Sequence, residues 1–304
     1  MHQERLSRGH KVMPDVDVFP KPATLGYLAR RPMERTQGKG AAMPEHEIRF
    51  EDGASYERMM GTWSRLAGTE FLDWLKPQPG LRWIDVGCGN GAFTELLIDR
   101  CSPTEVHGLD PAEAQLAFAR ARPRARIAEF HQGDAMTLPF PAGRFDAAVM
   151  ALVIFYVPMP ATGVAEMVRV VAPGGTVAAY VWDTTNGGSP LAPIQSQLRA
   201  MGISAPLPPS VGISRMESLL DLWHGAGLHH IQTREIAVTR TFMDFDDFWT
   251  TTLTMPTISP VVAAMTSAQV KQLRATVEQH LPAREGGPII YSARANAIMG
   301  RVPA

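Results

Sequence analysis

The apolar positions of this chain recur with two spacings, one helical and one strand-like, and the two alternate along its middle. Over residues 56–75, Met59, Met60, Trp63, Leu66, Phe71, Trp74 and Leu75 recur at helical spacing, and the pattern stops at Lys-Pro-Gln-Pro-Gly. This predicts an amphipathic helix ahead of the main sheet. Strand-like runs follow at 81–87, 105–110, 127–134, 144–152 and 175–183, with helical segments at 91–101, 111–122 and 160–171. Strands and helices alternating in this way predict right-handed crossovers and an α/β fold with a doubly wound, mostly parallel sheet.

Beyond residue 183 the pattern loosens into a loop-rich stretch with room for one short helix. Ser214 and Glu217 then have the spacing of a capping box for a helix ending near Gly227, and Thr266 and Gln269 repeat that spacing for a helix through about His280. Strand patterns resume at 228–242 and 287–302. The organisation expected is an extension over 1–43, a helical segment over 44–78, a core over 79–183, and completion of the sheet over 184–304. Cap insertions are expected at about 184–213 and 243–287, on the carboxyl side of the sheet, where open α/β sheets bind ligands.

Composition narrows the choice of partner. The 304 residues carry 29 basic and 30 acidic side chains, so the near-zero net charge gives no electrostatic reason to expect nucleic acid or a membrane surface. The arginine-rich stretch 119–127 is short and lacks interleaved aromatics, and reads as a solvated helix end. The longest apolar run, 147–157, is too short to cross a bilayer of ~30 Å as a helix. Residues 1–43 show neither a sustained period nor a targeting signal and are expected to be disordered. Cys88 and Cys101, with no second pair nearby, suggest neither a disulfide framework nor a metal site, which suits a reducing cytoplasm.

The chemistry concentrates in Trp-Ile-Asp-Val-Gly-Cys-Gly-Asn-Gly, residues 83–91. Gly87, Gly89 and Gly91 punctuate a strand-to-helix turn whose backbone can approach a ligand with no Cβ in the way. Alone this is a weak signal, because Gly87, Gly89 and Ala92 also satisfy a loose dinucleotide fingerprint with Asp110 as its ribose-binding acid. Asp85 separates the readings: a carboxylate two residues before the first glycine repels a pyrophosphate and suits a cationic ligand. Asp134, after the third strand, is placed to accept a hydrogen bond from an exocyclic amine such as that of adenine. A Tyr-x-x-x-Lys pair of the short-chain dehydrogenase type is missing, since none of the five lysines follows a tyrosine at that spacing.

Four stretches in order, at 83–91, 108–120, 133–150 and 168–183, resemble the successive signatures of the class I S-adenosylmethionine-dependent methyltransferases. The style is closest to the small-molecule subgroup that includes the ubiquinone and menaquinone biosynthesis enzymes. The resemblance implies a seven-stranded Rossmann-like methyltransferase fold ending in an antiparallel hairpin, with S-adenosylmethionine as cofactor and S-adenosylhomocysteine as product. It also implies roles for residues. Asp85 and the backbone of Gly87, Cys88, Gly89 and Gly91 would face the methionine part of the cofactor. Asp110, beside Pro111, would take the ribose hydroxyls, and Gly133, Asp134 and Ala135 would hold adenine. Ala151 and Leu152 would line the far side, and Tyr56, less surely with Met60 and Trp63, would close over the cofactor. A plain cap on the helix that begins at Pro111 is the alternative role for Asp110, and the two roles are compatible.

Methyl transfer of this kind proceeds by in-line displacement and needs alignment more than a fixed nucleophile, so no catalytic residue is assigned. His131 and His224 are candidate bases, with a strand position and a helix C-terminus as their plainer explanations. Trp63, Phe155, Tyr156, Trp182, Phe245, Phe248 and Trp249 are either core or the lining of a pocket for a small, apolar or aromatic acceptor. Two other readings stay open: an NAD(P)-dependent oxidoreductase, and a cofactor-binding protein without turnover.

Overall fold

The computed structural model describes residues 57–282 and 287–304. The chain divides into two units, 1–45 and 46–304, and every described residue belongs to the second. Tyr56 and the expected 1–43 extension therefore lie outside the described residues.

A five-residue π-turn, Glu57–Gly61, leads into α1 (Thr62–Leu75). Trp63, Ala67, Gly68, Phe71 and Leu72 form the buried face of α1, the one-sided stripe that a helix on a sheet requires. Next come β1 (Arg82–Val86), α2 (Ala92–Cys101), β2 (Glu105–Asp110), α3 (Glu113–Ala121), β3 (Ala128–Gln132) and β4 (Phe145–Ala151). They are followed by α4 (Pro160–Val170) and β5 (Val171–Trp182). The remainder comprises α5 (Ala192–Ala200), α6 (Met216–Gly225), β6 (His229–Phe242), α7 (Phe245–Thr252), α8 (Ser259–Ala263), α9 (Ser267–His280) and β7 (Ile289–Arg301).

The seven strands make one sheet in the order β3-β2-β1-β4-β5-β7-β6. The first five run parallel, while β7 is antiparallel to both β5 and β6. Ile84, Val86, Ala147, Ala148, Val149 and Met150 are fully buried, as strands covered on both faces must be. Strand register fixes where the insertions emerge. Trp182 at the carboxyl end of β5 pairs with Ala295, and Phe242 pairs with Ile289, so the β6–β7 connection returns to that same end. The segment after β5 starts there too. Both insertions thus rise from the carboxyl ends of the parallel strands.

Two local expectations are corrected. The helix after β2 begins at Glu113, not Pro111, because the Asp110 side chain accepts from the Ala112 N–H and holds Pro111 and Ala112 in a turn. The Ser214 capping box does not form: α6 starts at Met216 with no side-chain cap, and Ser214 ends a 3-10 turn where its carbonyl accepts from Asn296 Nδ2. Thr266 and Gln269 do form theirs, with both reciprocal bonds present. A cap that the sequence reading passed over is Asp244, whose side chain accepts from the Asp247 N–H at 2.8 Å and starts α7.

Candidate functional site

The central strand delivers a carboxylate into the core. Asp85 is fully buried; Thr94 Oγ1, from the first turn of α2, donates to its Oδ2 at 2.6 Å, while its Oδ1 has no partner among the described residues. Burial pushes its pKa up to about 7, against the opposing effect of the Thr94 hydrogen bond. An unpartnered buried carboxylate oxygen is the kind of group that a bound ligand satisfies.

The turn itself is left-handed three times. Gly87, Gly89 and Gly91 have φ of +77°, +53° and +77°. Their surroundings differ. A Cβ on Gly87 would lie 2.3 Å from Val153 Cγ1, and one on Gly91 would lie 2.9 Å from Ala119 Cβ, whereas a Cβ on Gly89 meets nothing within 4 Å. Gly87 and Gly91 are therefore glycines for packing, and Gly89 faces open space. The N–H groups of Gly87 and Cys88 both donate to the Leu109 carbonyl, which ties the turn to the end of β2. Cys88 is buried, and that burial raises its thiol pKa, so it stays protonated and serves as packing.

One strand over, Asp110 spans two elements. Its Oδ2 accepts from the Gly89 N–H and its Oδ1 from the Ala112 N–H, each at 2.9 Å. Burial raises its pKa while these two N–H groups hold it down. Each oxygen retains a second lone pair for a ligand hydroxyl. The Gly133 N–H donates to the Asp110 carbonyl at 3.1 Å, which brings the end of β3 alongside. Asp134 is exposed there, its Oδ1 accepting from the Met136 N–H at 2.8 Å, with Ala135 adjoining. On the other flank β4 ends at Ala151, and Leu152 takes φ of +61° while donating its N–H to the Tyr180 carbonyl. A leucine in the left-handed region is strained, and such strain gathers where a ligand or reaction requires it.

The aromatic residues divide into two groups. Trp63 packs edge-on against Trp182 and Tyr291 at 6.4 and 6.1 Å, and Tyr291 meets Phe248 at 6.4 Å. Phe245 and Trp249 stack onto this wall, beneath the Arg274 guanidinium. Phe155 and Tyr156 pack on each other at 4.5 Å in the short turn after β4. All but Tyr156 and Tyr291 are buried, yet the indole N–H groups of Trp63 and Trp182 lack partners among the described residues. Tyr291 was not anticipated, because a lone tyrosine in a strand carries no signal of the face it joins. A groove of about 620 Å³ lined by Thr62, Arg65 and Thr239 includes none of these groups.

Neither candidate base reaches the turn. His131 stacks on His107 at 5.0 Å, and its place in β3 puts it on the face opposite Phe130, whose ring lies beside Gly108 as the Cys88 sulfur does. His224 is exposed on α6, which packs against α4, β6 and β7.

Comparison with known proteins bears on the same segment. Residues 84–179 match the family described as "Methyltransferase domain". Over this stretch the chain is similar to methyltransferase domains. The demethylmenaquinone methyltransferase of Desulfitobacterium hafniense is 36% identical over 110 residues, 34% of this chain and 44% of that protein. The 2-phytyl-1,4-naphtoquinone methyltransferase of Synechococcus elongatus is 35% identical over 121 residues, 38% of this chain and 50% of that protein. The chain thus spans about half, or less, of the length of these relatives. Among solved structures, a phosphoethanolamine N-methyltransferase of Haemonchus contortus in complex with S-adenosyl-L-methionine superposes with a TM-score of 0.50 at 17% identity, covering 82% of this chain and 56% of that one. The fold is the Rossmann-like methyltransferase fold.

Proposed function

We propose that the chain transfers a methyl group from S-adenosylmethionine to a small, apolar, ring-bearing acceptor. The observation that carries this reading is the buried carboxylate of Asp85, with one oxygen unpartnered, at the head of a turn whose middle glycine opens onto free space. That donor set suits an ammonium and repels a pyrophosphate, which favours an adenosyl sulfonium over NAD(P). The geometry fits the cofactor. Asp85 would hold its ammonium, Asp110 its ribose hydroxyls, and Asp134 with the Ala135 backbone its adenine; Ala151 and Leu152 would border it. Tyr56, by resemblance, would close the site.

When bound, the cofactor supplies a methyl group already activated by its sulfonium. The protein's task is alignment, and positioning of this kind is worth roughly 7–11 kcal/mol of barrier. The acids fix one partner, and the wall of Trp63, Trp182, Tyr291 and Phe248 orients a flat apolar acceptor from the two late insertions and α1. The unpartnered indole N–H groups of Trp63 and Trp182 are donors for an oxygen on that acceptor. Relatives named for naphthoquinone and demethylmenaquinone methylation support a quinol-like ring. Two buried free cysteines, and no helix among the described residues long and apolar enough to cross a membrane, support a cytoplasmic setting.

Incubation with methyl-labelled S-adenosylmethionine and a panel of prenylated hydroquinones, phenols and alkylamines tests the reading. Label is expected in the hydroquinone or phenol fraction. Cofactor binding with no label in any acceptor would overturn it in favour of a binding protein without turnover.

A further inference from the structure

The edge of the sheet away from the hairpin carries a second constellation of chemistry. Strands β2 and β3 each contain a Glu-x-His step, Glu105-Val106-His107 and Glu129-Phe130-His131. Residues two apart in a strand share a face, and in this parallel pair His107 is in register with Glu129, so all four side chains fall on the same side of the sheet. The connection from β3 to β4 contains no helix, so Phe140 and Phe145 wall that face instead, meeting the two imidazoles edge-on at 5.2–5.4 Å.

We infer that His107, His131 and Glu129 form a binding site for one divalent transition-metal ion of the zinc type. His107 Nδ1 lies 2.8 Å from His131 Nε2, and Glu129 Oε2 lies 3.9 Å from each. Ligands about 2.0–2.1 Å from a tetrahedral zinc are about 3.3 Å apart, a spacing these three distances bracket. The outer shell is built as well. The other ring nitrogen of His107 pairs with Glu105 Oε1 at 2.5 Å, and Arg144 in turn holds Glu105. A histidine whose Nε2–H is donated to a carboxylate presents Nδ1 as a lone pair, which is the carboxylate–histidine–metal arrangement. His107 is buried, His131 half-buried and Glu129 exposed, so the site opens to water on one side for entry and for a fourth ligand. Two nitrogens and one carboxylate oxygen suit zinc over calcium or magnesium, which take oxygen ligands.

This assignment replaces the expectation of no metal, which was drawn from the cysteines alone, and it gives His131 a role other than base. It is independent of the methyl-transfer reading. An ion there would clip the edge strand β3 to β2, just before Gly133 and Asp134.

The test is titration of the EDTA-treated, tag-free full chain with Zn²⁺ by calorimetry and with Co²⁺ by visible absorption. The expected result is saturation at one equivalent with tetrahedral Co²⁺ bands, and a melting temperature raised by zinc. His131→Gln should weaken binding more than about 100-fold, and Glu105→Gln by about 10–100-fold, as losses of an outer-shell carboxylate do. Glu129→Gln, at an exposed position, keeps the fold intact and should still weaken binding and abolish the zinc-induced thermal shift. Saturation that survives both His131→Gln and Glu129→Gln, or no binding near one equivalent, would overturn the site and leave an imidazole–imidazole hydrogen bond only.

Discussion

Asp85 is a carboxylate that folding alone would not retain. Its pKa is raised to about 7, so between about pH 4 and pH 7 the native state binds a proton that the unfolded chain has lost. Stability from this group therefore falls as pH rises through that window, and Asp85→Asn should flatten the slope and melt at a higher temperature than the parent at pH 8. Function runs the other way. If the ionised form receives the ligand ammonium, affinity for S-adenosylhomocysteine should drop by up to about tenfold per unit as pH is lowered below 7. In Asp85→Asn that dependence should vanish along with most of the binding. Calorimetry from pH 5.5 to 8.5 reads both, and an unchanged pH slope in the variant would remove Asp85 from the site. Asp85, Asp110 and Asp134 were legible in the sequence because each follows or sits in a strand at a fixed distance from a glycine. Thr94 was not, since its importance comes from the carboxylate the fold places beside it, and Leu152 was named only by resemblance, without its left-handed backbone.

Elements separate glycines that look alike in sequence. A Cβ on Gly87 would collide with Val153, whereas one on Gly89 meets nothing, although both backbones are left-handed. Gly87→Ala should therefore lower the melting temperature far more than Gly89→Ala, for which the left-handed conformation alone costs about 1–2 kcal/mol. Gly89→Ala should instead lose cofactor affinity, because its Cβ enters the space a ligand would use. Equal melting temperatures with unchanged affinity in Gly89→Ala would refute that division. Strands were the most legible elements: β2 lies where the pattern put it, and the others differ from expectation mainly at their ends. Helix starts were read less well. The Thr266 spacing produced its capping box, but the same spacing at Ser214 did not, because Asn296 from β7 holds the Ser214 carbonyl in a preceding turn. A cap is local only when no distant strand competes for the same backbone.

Across the whole molecule, the doubly wound, mostly parallel sheet was legible from the alternation of elements and the final antiparallel hairpin from the family resemblance, whereas the order of the strands emerges only in the fold. The acceptor wall was legible only in part. Trp63, Trp182 and Phe248 were named in advance, but they are joined by Tyr291 from a strand more than a hundred residues beyond Trp182, a proximity that only the sheet register creates. The zinc-type cluster is another product of register, since its two Glu-x-His steps mean little until β2 and β3 are aligned. The central claim is that the glycine turn with Asp85 and Asp110 binds an adenosyl sulfonium and not a dinucleotide. Calorimetric titration with S-adenosylhomocysteine, run beside NAD and repeated on Asp110→Asn, tests it most directly. The account predicts that S-adenosylhomocysteine alone binds, and that the substitution weakens it by about 1–3 kcal/mol, the loss expected for charge-assisted hydrogen bonds. Binding of NAD, or S-adenosylhomocysteine affinity indifferent to Asp110, would contradict it.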